Sequence, residues 1–220
     1  MPRGILAVVS HPDDETFGCG GTLALHASGG ASVDVLCLSC DPPERRSEIV
    51  GAAEELGLRE ATVFEDTRIE YAPGLIRRVS DIIVDLRPRV VVTHVPFDYH
   101  REHRAAYEVV KEAVEWAAHT TTYAEPCVVE RLLLMEVNTL IPSPHVLVDV
   151  SSVMDRKRRA IRRHVSQLAK FSWGYYEGFS EKKAELRGVQ GGCAYAEAFL
   201  EEPLPRNGPF YPVKSTVSLL

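Results

Sequence analysis

The chain has 220 residues, of which 45% are hydrophobic and 25% charged, a balance that excludes disordered and fibrous classes and leaves enough apolar material for one substantial core. Twenty-five basic against 31 acidic side chains give a net charge of −6, so the chain offers no general attraction to phosphate backbones or anionic lipid, which counts against nucleic-acid and membrane roles. Five cysteines without regular spacing do not make the framework of a small secreted scaffold, and reduced thiols are expected.

In chain order, β-branched runs alternate with helical stretches, the pattern of repeated βα units around a mostly parallel, Rossmann-like α/β sheet. The first apolar run, at 5–9, leads directly into charge and is too short for a secretory core or a membrane span. No later run approaches eighteen apolar residues, so a soluble, cytoplasmic protein is expected. Strands are expected at 5–10, 32–38, 61–64, 89–94, 131–137 and 145–150, and helices at 20–28, 44–56, 73–86, 102–118 and 152–170. Gly57 sits where a helix C-terminal cap belongs, and Pro88 stops the helix before the strand RVVVTH. The stretch 171–192 mixes aromatics, glycines and charges without a clean period. It is expected to be an irregular excursion lining a cleft or an oligomer contact. The Pro-rich end, 203–220, reads as a surface tail. With no repeat and no linker, one domain spanning 1–220 is the expected organisation.

The chemistry concentrates at two strand ends. His11-Pro12-Asp13-Asp14-Glu15 follows the first strand, and in open α/β sheets ligands bind at strand C-termini. An imidazole and a carboxylate three apart in a tight turn can both face one cation, which leaves a further carboxylate for proton transfer. The competing reading is a turn whose acids merely suit a helix N-terminus. Asp98-Tyr99-His100-Arg101-Glu102-His103 follows the fourth strand. A lone His-x-x-His is uninformative, but two strand-end clusters supplying His, Asp and His to one crevice match the three-ligand site of a catalytic zinc.

HPDDE, then GCGGTLA, then Arg45, Glu48, Ala52, Ala53, Leu56 and Gly57 in the pattern R-x-x-E-x-x-x-A-A-x-x-L-G, then D-x-H-x-x-H, together resemble the LmbE-like, or PIG-L, family of zinc-dependent N-deacetylases. DRKRRAIRRHVSQ and YAEAF resemble its C-terminal half, so the likeness spans about residues 5–200. The resemblance implies a Rossmann-like fold and hydrolysis of an N-acetyl group, most often on an N-acetylglucosamine moiety. It also implies Zn²⁺ held by His11, Asp14 and His103, with Asp13 as general base, His100 as a protonated imidazole facing the tetrahedral intermediate, and Arg45 touching substrate. Other divalent ions accept the same N/O donors. The expected partner is a small amino-sugar conjugate, and related proteins are often homo-oligomers. Where the family usually has His-Pro-Asp-His, this chain has His100-Arg101-Glu102-His103, so the acid expected to orient His100 is Glu102 or Asp98; Glu15 is expected to cap a helix or support the site from behind.

Other readings compete less well. Cys37-x-x-Cys40 is followed by Asp41-Pro42-Pro43, not by the helix a redox pair opens. Gly18-Cys19-Gly20-Gly21 lacks the third glycine of a dinucleotide fingerprint, and HPDDE puts negative charge where a pyrophosphate would sit. His94 is weighed evenly between supporting the crevice and plain burial, whereas His26, His119, His145 and His164 are expected to be structural or on the surface. The basic run 155–163 reads as a solvated helix face. A sugar-thiol or non-sugar amidase, and a non-catalytic sugar-binding module of the same fold, are the alternatives.

Overall fold

A computed structural model describes residues 4–66 and 68–204. The expected alternation is realised as β1 (Ile5–Val9), α1 (Asp14–Ser28), β2 (Val33–Ser39), α2 (Arg45–Leu56), β3 (Glu60–Asp66), α3 (Pro73–Leu86), β4 (Val90–His94), α4 (Arg101–Ala117) and β5 (Arg131–Met135). Then come β6 (Val146–Asp149), α5 (Met154–Ile161), α6 (Val165–Leu168), α7 (Tyr175–Gly191) and β7 (Ala196–Glu202). Among the described residues these strands form one sheet in the order β3-β2-β1-β4-β5-β7-β6. The first five are parallel, and β7 runs antiparallel to both β5 and β6.

The strands are apolar on both faces because helices cover both. Leu6, Val8, Leu36 and Leu38 pack with α3 and α4, and the alternate positions Ile5, Ala7, Val9, Val33 and Val35 pack beneath α1 and α2. Strand order reverses between β1 and β4, which opens a crevice at their C-terminal ends. Both sequence clusters end there.

Four elements depart from the sequence expectation. The stretch 171–192, expected to be irregular, carries the seventeen-residue helix α7, whose glycines and aromatics hide its period. The continuous helix expected over 152–170 is broken at Arg162–His164 into α5 and α6. Strand β7 has no counterpart among the expected strands: its run AEAFLEE is rich in acid, yet it lies inside the sheet because Glu197 finds buried partners. The expected tail lies outside the described residues from 205 onward.

Helix α1 also begins earlier than expected and bends at Cys19, whose φ/ψ of −141°/16° is not helical. The bend lets α1 lie close to the sheet: a Cβ on Gly18 would meet Met135 Sδ at 2.5 Å, and one on Gly21 would meet Val150 at 2.8 Å. It also frees backbone groups in a dry interior. Glu197 accepts the N–H groups of Gly21 and Thr22 at 2.8 and 2.7 Å, and Lys157 and Lys183 donate to the Phe17 carbonyl at 3.4 and 3.2 Å. Lys157 and Glu197 pair at 2.6 Å with side chains 0% and 3% exposed. Removing one partner of such a pair leaves an uncompensated buried charge. Lys157→Met should therefore lower stability by about 3–5 kcal/mol, read as a fall in the urea midpoint.

Candidate active site

The two clusters are positioned by the starts of two helices. Asp13 precedes α1, and Asp14 and Glu15 occupy its first turn, where acid complements the helix dipole. His100 is the N-cap of α4, in extended conformation at φ/ψ −75°/124°, and its Nδ1 accepts the Glu102 N–H at 3.3 Å. That capping bond places the ring's own proton on Nε2. Burial with the nearby His103 and His11 lowers the pKa of the ring. The Asp98 carboxylate accepts the His100 backbone N–H at 2.9 Å, so Asp98 fixes the main chain at His100 and not its ring.

Asp14 is the centre of the arrangement. It is 3% exposed, accepts the His11 N–H at 2.8 Å, and faces His11 Nδ1 at 3.4 Å, His103 Nε2 at 3.3 Å and His94 Nε2 at 3.5 Å. Burial alone would raise its pKa, but His103 and His94 outweigh this and hold it well below the carboxylate range. Reciprocally, burial disfavours charge on His103, yet Asp14 and Asp98 raise its pKa to about 10. Asp98, pushed up by burial, is pulled down to about 2 by the neighbouring His103 imidazole and by the hydrogen bond it accepts from the His100 backbone.

The outward nitrogens of the two expected histidine ligands each meet a carboxylate. His11 Nε2 lies 2.6 Å from Glu102 Oε2, and His103 Nδ1 lies 3.4 Å from Asp98 Oδ1 without the alignment of a hydrogen bond. Glu102, expected as a partner of His100, thus belongs to His11. Ligating histidines are commonly backed in this way, which fixes the ring and raises the basicity of the inward nitrogen. Among the described residues two overlapping groups could hold an ion, one formed by His11, His100 and His103 and the other by Asp14, His94 and His103. The expected set draws on both. Imidazole nitrogens and one carboxylate, two of the rings backed by acids, fit a divalent transition metal.

Asp13 adjoins this set. Burial and the Asp14 charge raise its pKa to about 7, opposed by Arg45 and His164. Arg45, expected to touch substrate, is 7% exposed and pairs with Asp13 Oδ2 at 3.0 Å while also donating to the Pro12 carbonyl. His94 proves to be support for the crevice: it is fully buried, its Nε2 accepts the Ser10 N–H at 2.9 Å, and its ring stacks on His103 at 4.0 Å. His164, expected to be structural or on the surface, is buried against Glu15. It falls in the stretch DRKRRAIRRHVSQ that resembles the family's C-terminal half, but nothing local showed its partner, which is 149 positions away. Cys37 and Cys40 are both free thiols.

A cleft of about 450 Å³ is lined by His11, Asp13, Asp14, Arg45, His100 and His103 together with Tyr99, the α7 residues Tyr175, Tyr176 and Phe179, and the amides of Asn138 and Gln167. The stretch 171–192 therefore does line the cleft, as one of its two expected roles.

Residues 6–114 match the family model PIG-L, described as GlcNAc-PI de-N-acetylase. The chain belongs to the PIG-L family. It is 27% identical to the diacetylchitobiose deacetylase of Thermococcus kodakarensis, covering 89% of this chain and 81% of that protein. The crystal structure of a conserved protein from Thermus thermophilus superposes with a TM-score of 0.81 at 30% identity, covering 96% of this chain and 97% of that one. GalB, the 4-carboxy-2-hydroxymuconate hydratase of Pseudomonas putida, shares the fold at a TM-score of 0.75 and 24% identity, covering 97% of this chain and 98% of that one. Fold alone therefore does not choose the reaction.

One divalent transition ion per chain is the expected stoichiometry in a calorimetric titration. His103→Ala should abolish binding, and Asp98→Asn should weaken it about 10–100-fold.

Proposed function

We propose that this PIG-L protein is a zinc-dependent N-deacetylase that removes the acetyl group from an N-acetylglucosamine-type amino sugar or its conjugate. The observation that carries this reading is the placement of the buried Asp13 carboxyl beside a donor set of His11, Asp14 and His103 that lines an open cleft. The description of the family model and the name of the Thermococcus relative point to the same amide chemistry.

His11, Asp14 and His103 would hold the ion, which when bound polarises an acetyl carbonyl and acidifies water. Asp13 takes the proton of the attacking water and later delivers it to the departing amine, so that amide and water become acetate and free amino sugar. His100 donates its Nε2–H as negative charge develops on the carbonyl oxygen, a contact typically worth about 3 kcal/mol in barrier height. Arg45 anchors the Asp13 carboxylate from the side. Tyr175, Tyr176 and Phe179 present ring faces suited to the C–H face of a pyranose, and Asn138 and Gln167 present amides suited to its hydroxyls. A small-molecule substrate follows from the size of the cleft.

Acetate release from N-acetylglucosamine, diacetylchitobiose and N-acetylglucosaminyl conjugates is the direct assay. Activity should vanish with chelator and return with zinc, and Asp13→Asn should keep the ion while kcat falls about 10²–10⁴-fold. Full activity in Asp13→Asn would remove the base assignment, and sugar binding without turnover under any metal would favour a binding module.

A further inference from the structure

Asp13 is held in a backbone conformation that a non-glycine residue seldom adopts, with φ 140° and ψ −30°. Such a conformation is costly and persists only where its surroundings over-determine it. Here the main chain at Asp13 is gripped on both sides. Its carbonyl accepts the N–H groups of Thr16 and Phe17 at 3.0 and 2.9 Å, and its own N–H donates to Glu15 Oε2 at 3.0 Å.

Glu15 is fully buried, and its second oxygen, Oε1, is occupied from the far end of the chain. Thr16 Oγ1 donates to it at 2.6 Å, and His164 Nε2 lies 3.2 Å from it and 3.1 Å from Thr16 Oγ1. Since the Thr16 proton is spent on Glu15, both oxygens offer lone pairs to the imidazole, so the His164 proton sits on Nε2. His164 is itself 0% exposed. It stands at the break between α5 and α6, where Ser166 donates through N and Oγ to the two carboxylate oxygens of Glu48, each at 2.7 Å. Glu48 lies on α2, three residues beyond Arg45, whose guanidinium holds the Asp13 carboxylate. The turn at 164–166 is thus fastened both to the helix that carries Asp13's main-chain acceptor and to the helix that carries its side-chain partner.

We propose that His164 is a positioning residue for Asp13: through Glu15 it locks the strained main chain that aims the Asp13 carboxylate across the cleft floor. His164 touches neither the donor set nor the cleft, so its loss should leave ion and substrate binding in place while the proton-transfer geometry relaxes. The proposal rests on the reading of Asp13 as the base.

The test is a kinetic comparison at saturating zinc on whichever N-acetylated amino sugar the wild-type chain turns over. His164→Phe should lower kcat about 10–100-fold, with KM within twofold and one ion per chain retained by metal analysis. His164→Gln, which keeps a donor of similar reach, should recover most of that loss. In an Asp13→Asn background, where the base is already gone, His164→Phe should cost less than a further twofold, because residues acting as a unit are not additive. Thr16→Val, which removes the other donor to Glu15 Oε1, should show the same pattern and serves if His164→Phe does not fold. Unchanged kcat in these variants, parallel loss of the ion, or an equal loss in both backgrounds would overturn the proposal. An inactive wild type, or an Asp13→Asn variant as active as wild type, would instead overturn the reading of the base.

Discussion

A single buried negative charge, on Asp14, sets the conditions for the rest of the molecule's active end. Ionised at 3% exposure, it must be compensated, and the imidazoles of His11, His103 and His94 all turn towards it. Those rings in turn need fixed orientations, which Glu102, Asp98 and the Ser10 amide supply. Every partner added to stabilise Asp14 brings another nitrogen to the same spot. His11 and His103, whose pKa values Asp14 raises, balance the carboxylate, while His94 Nε2 keeps its lone pair for the Ser10 N–H.

The sheet makes this convergence possible. Only at the reversal between β1 and β4 do two strand C-termini leave room between the helices that follow them. Each terminus leads through a short turn to a helix start, where carboxylates and imidazoles near the N-cap accept main-chain N–H groups. Asp13 and His100, the two residues read as taking part in proton transfer and oxyanion contact, both occupy N-cap positions. The helix start fixes the His100 ring and the Asp13 main chain, Arg45 holds the Asp13 carboxylate, and the interior charges behind α1 hold that helix in place. Glu197, Lys157 and Lys183 satisfy the groups exposed by the bend at Cys19, which seats α1 and so sets the depth of its first turn.

The fold is shared with a hydratase, so what distinguishes this chain lies in the side chains of the crevice and its walls. The aromatic wall of α7 is continuous with further rings at Phe171 and Trp173, linked through Tyr175 at 5.2 Å each. The floor of the site is thus charged and tightly tied, while the wall is apolar and partly exposed. The charged floor is built by β1, β4 and the helices they feed, and the aromatic wall by the C-terminal third of the chain.

Much of this was legible in the sequence, and for a physical reason. HPDDE and D-x-H-x-x-H are each contiguous, so the residues that share a function also share a strand-end turn, and periodicity alone places those turns. Helices α2, α3 and α4 and the cap at Gly57 follow from local propensity and pattern in the same way. What tertiary structure decided are the pairings between distant residues. Glu102 serves His11 and not His100, Arg45 grips Asp13, and His164 reaches Glu15 across 149 positions. Strand β7 and helix α7 belong to the same class: an acidic strand is stable only because Lys157 is buried beside Glu197, and a glycine-broken aromatic run is helical because the sheet and Glu136 hold Lys183 and Arg187 on its inner face. Local sequence determines which groups stand at the strand ends; their partners, and with them protonation and aim, are set by long-range contacts that have no local pattern.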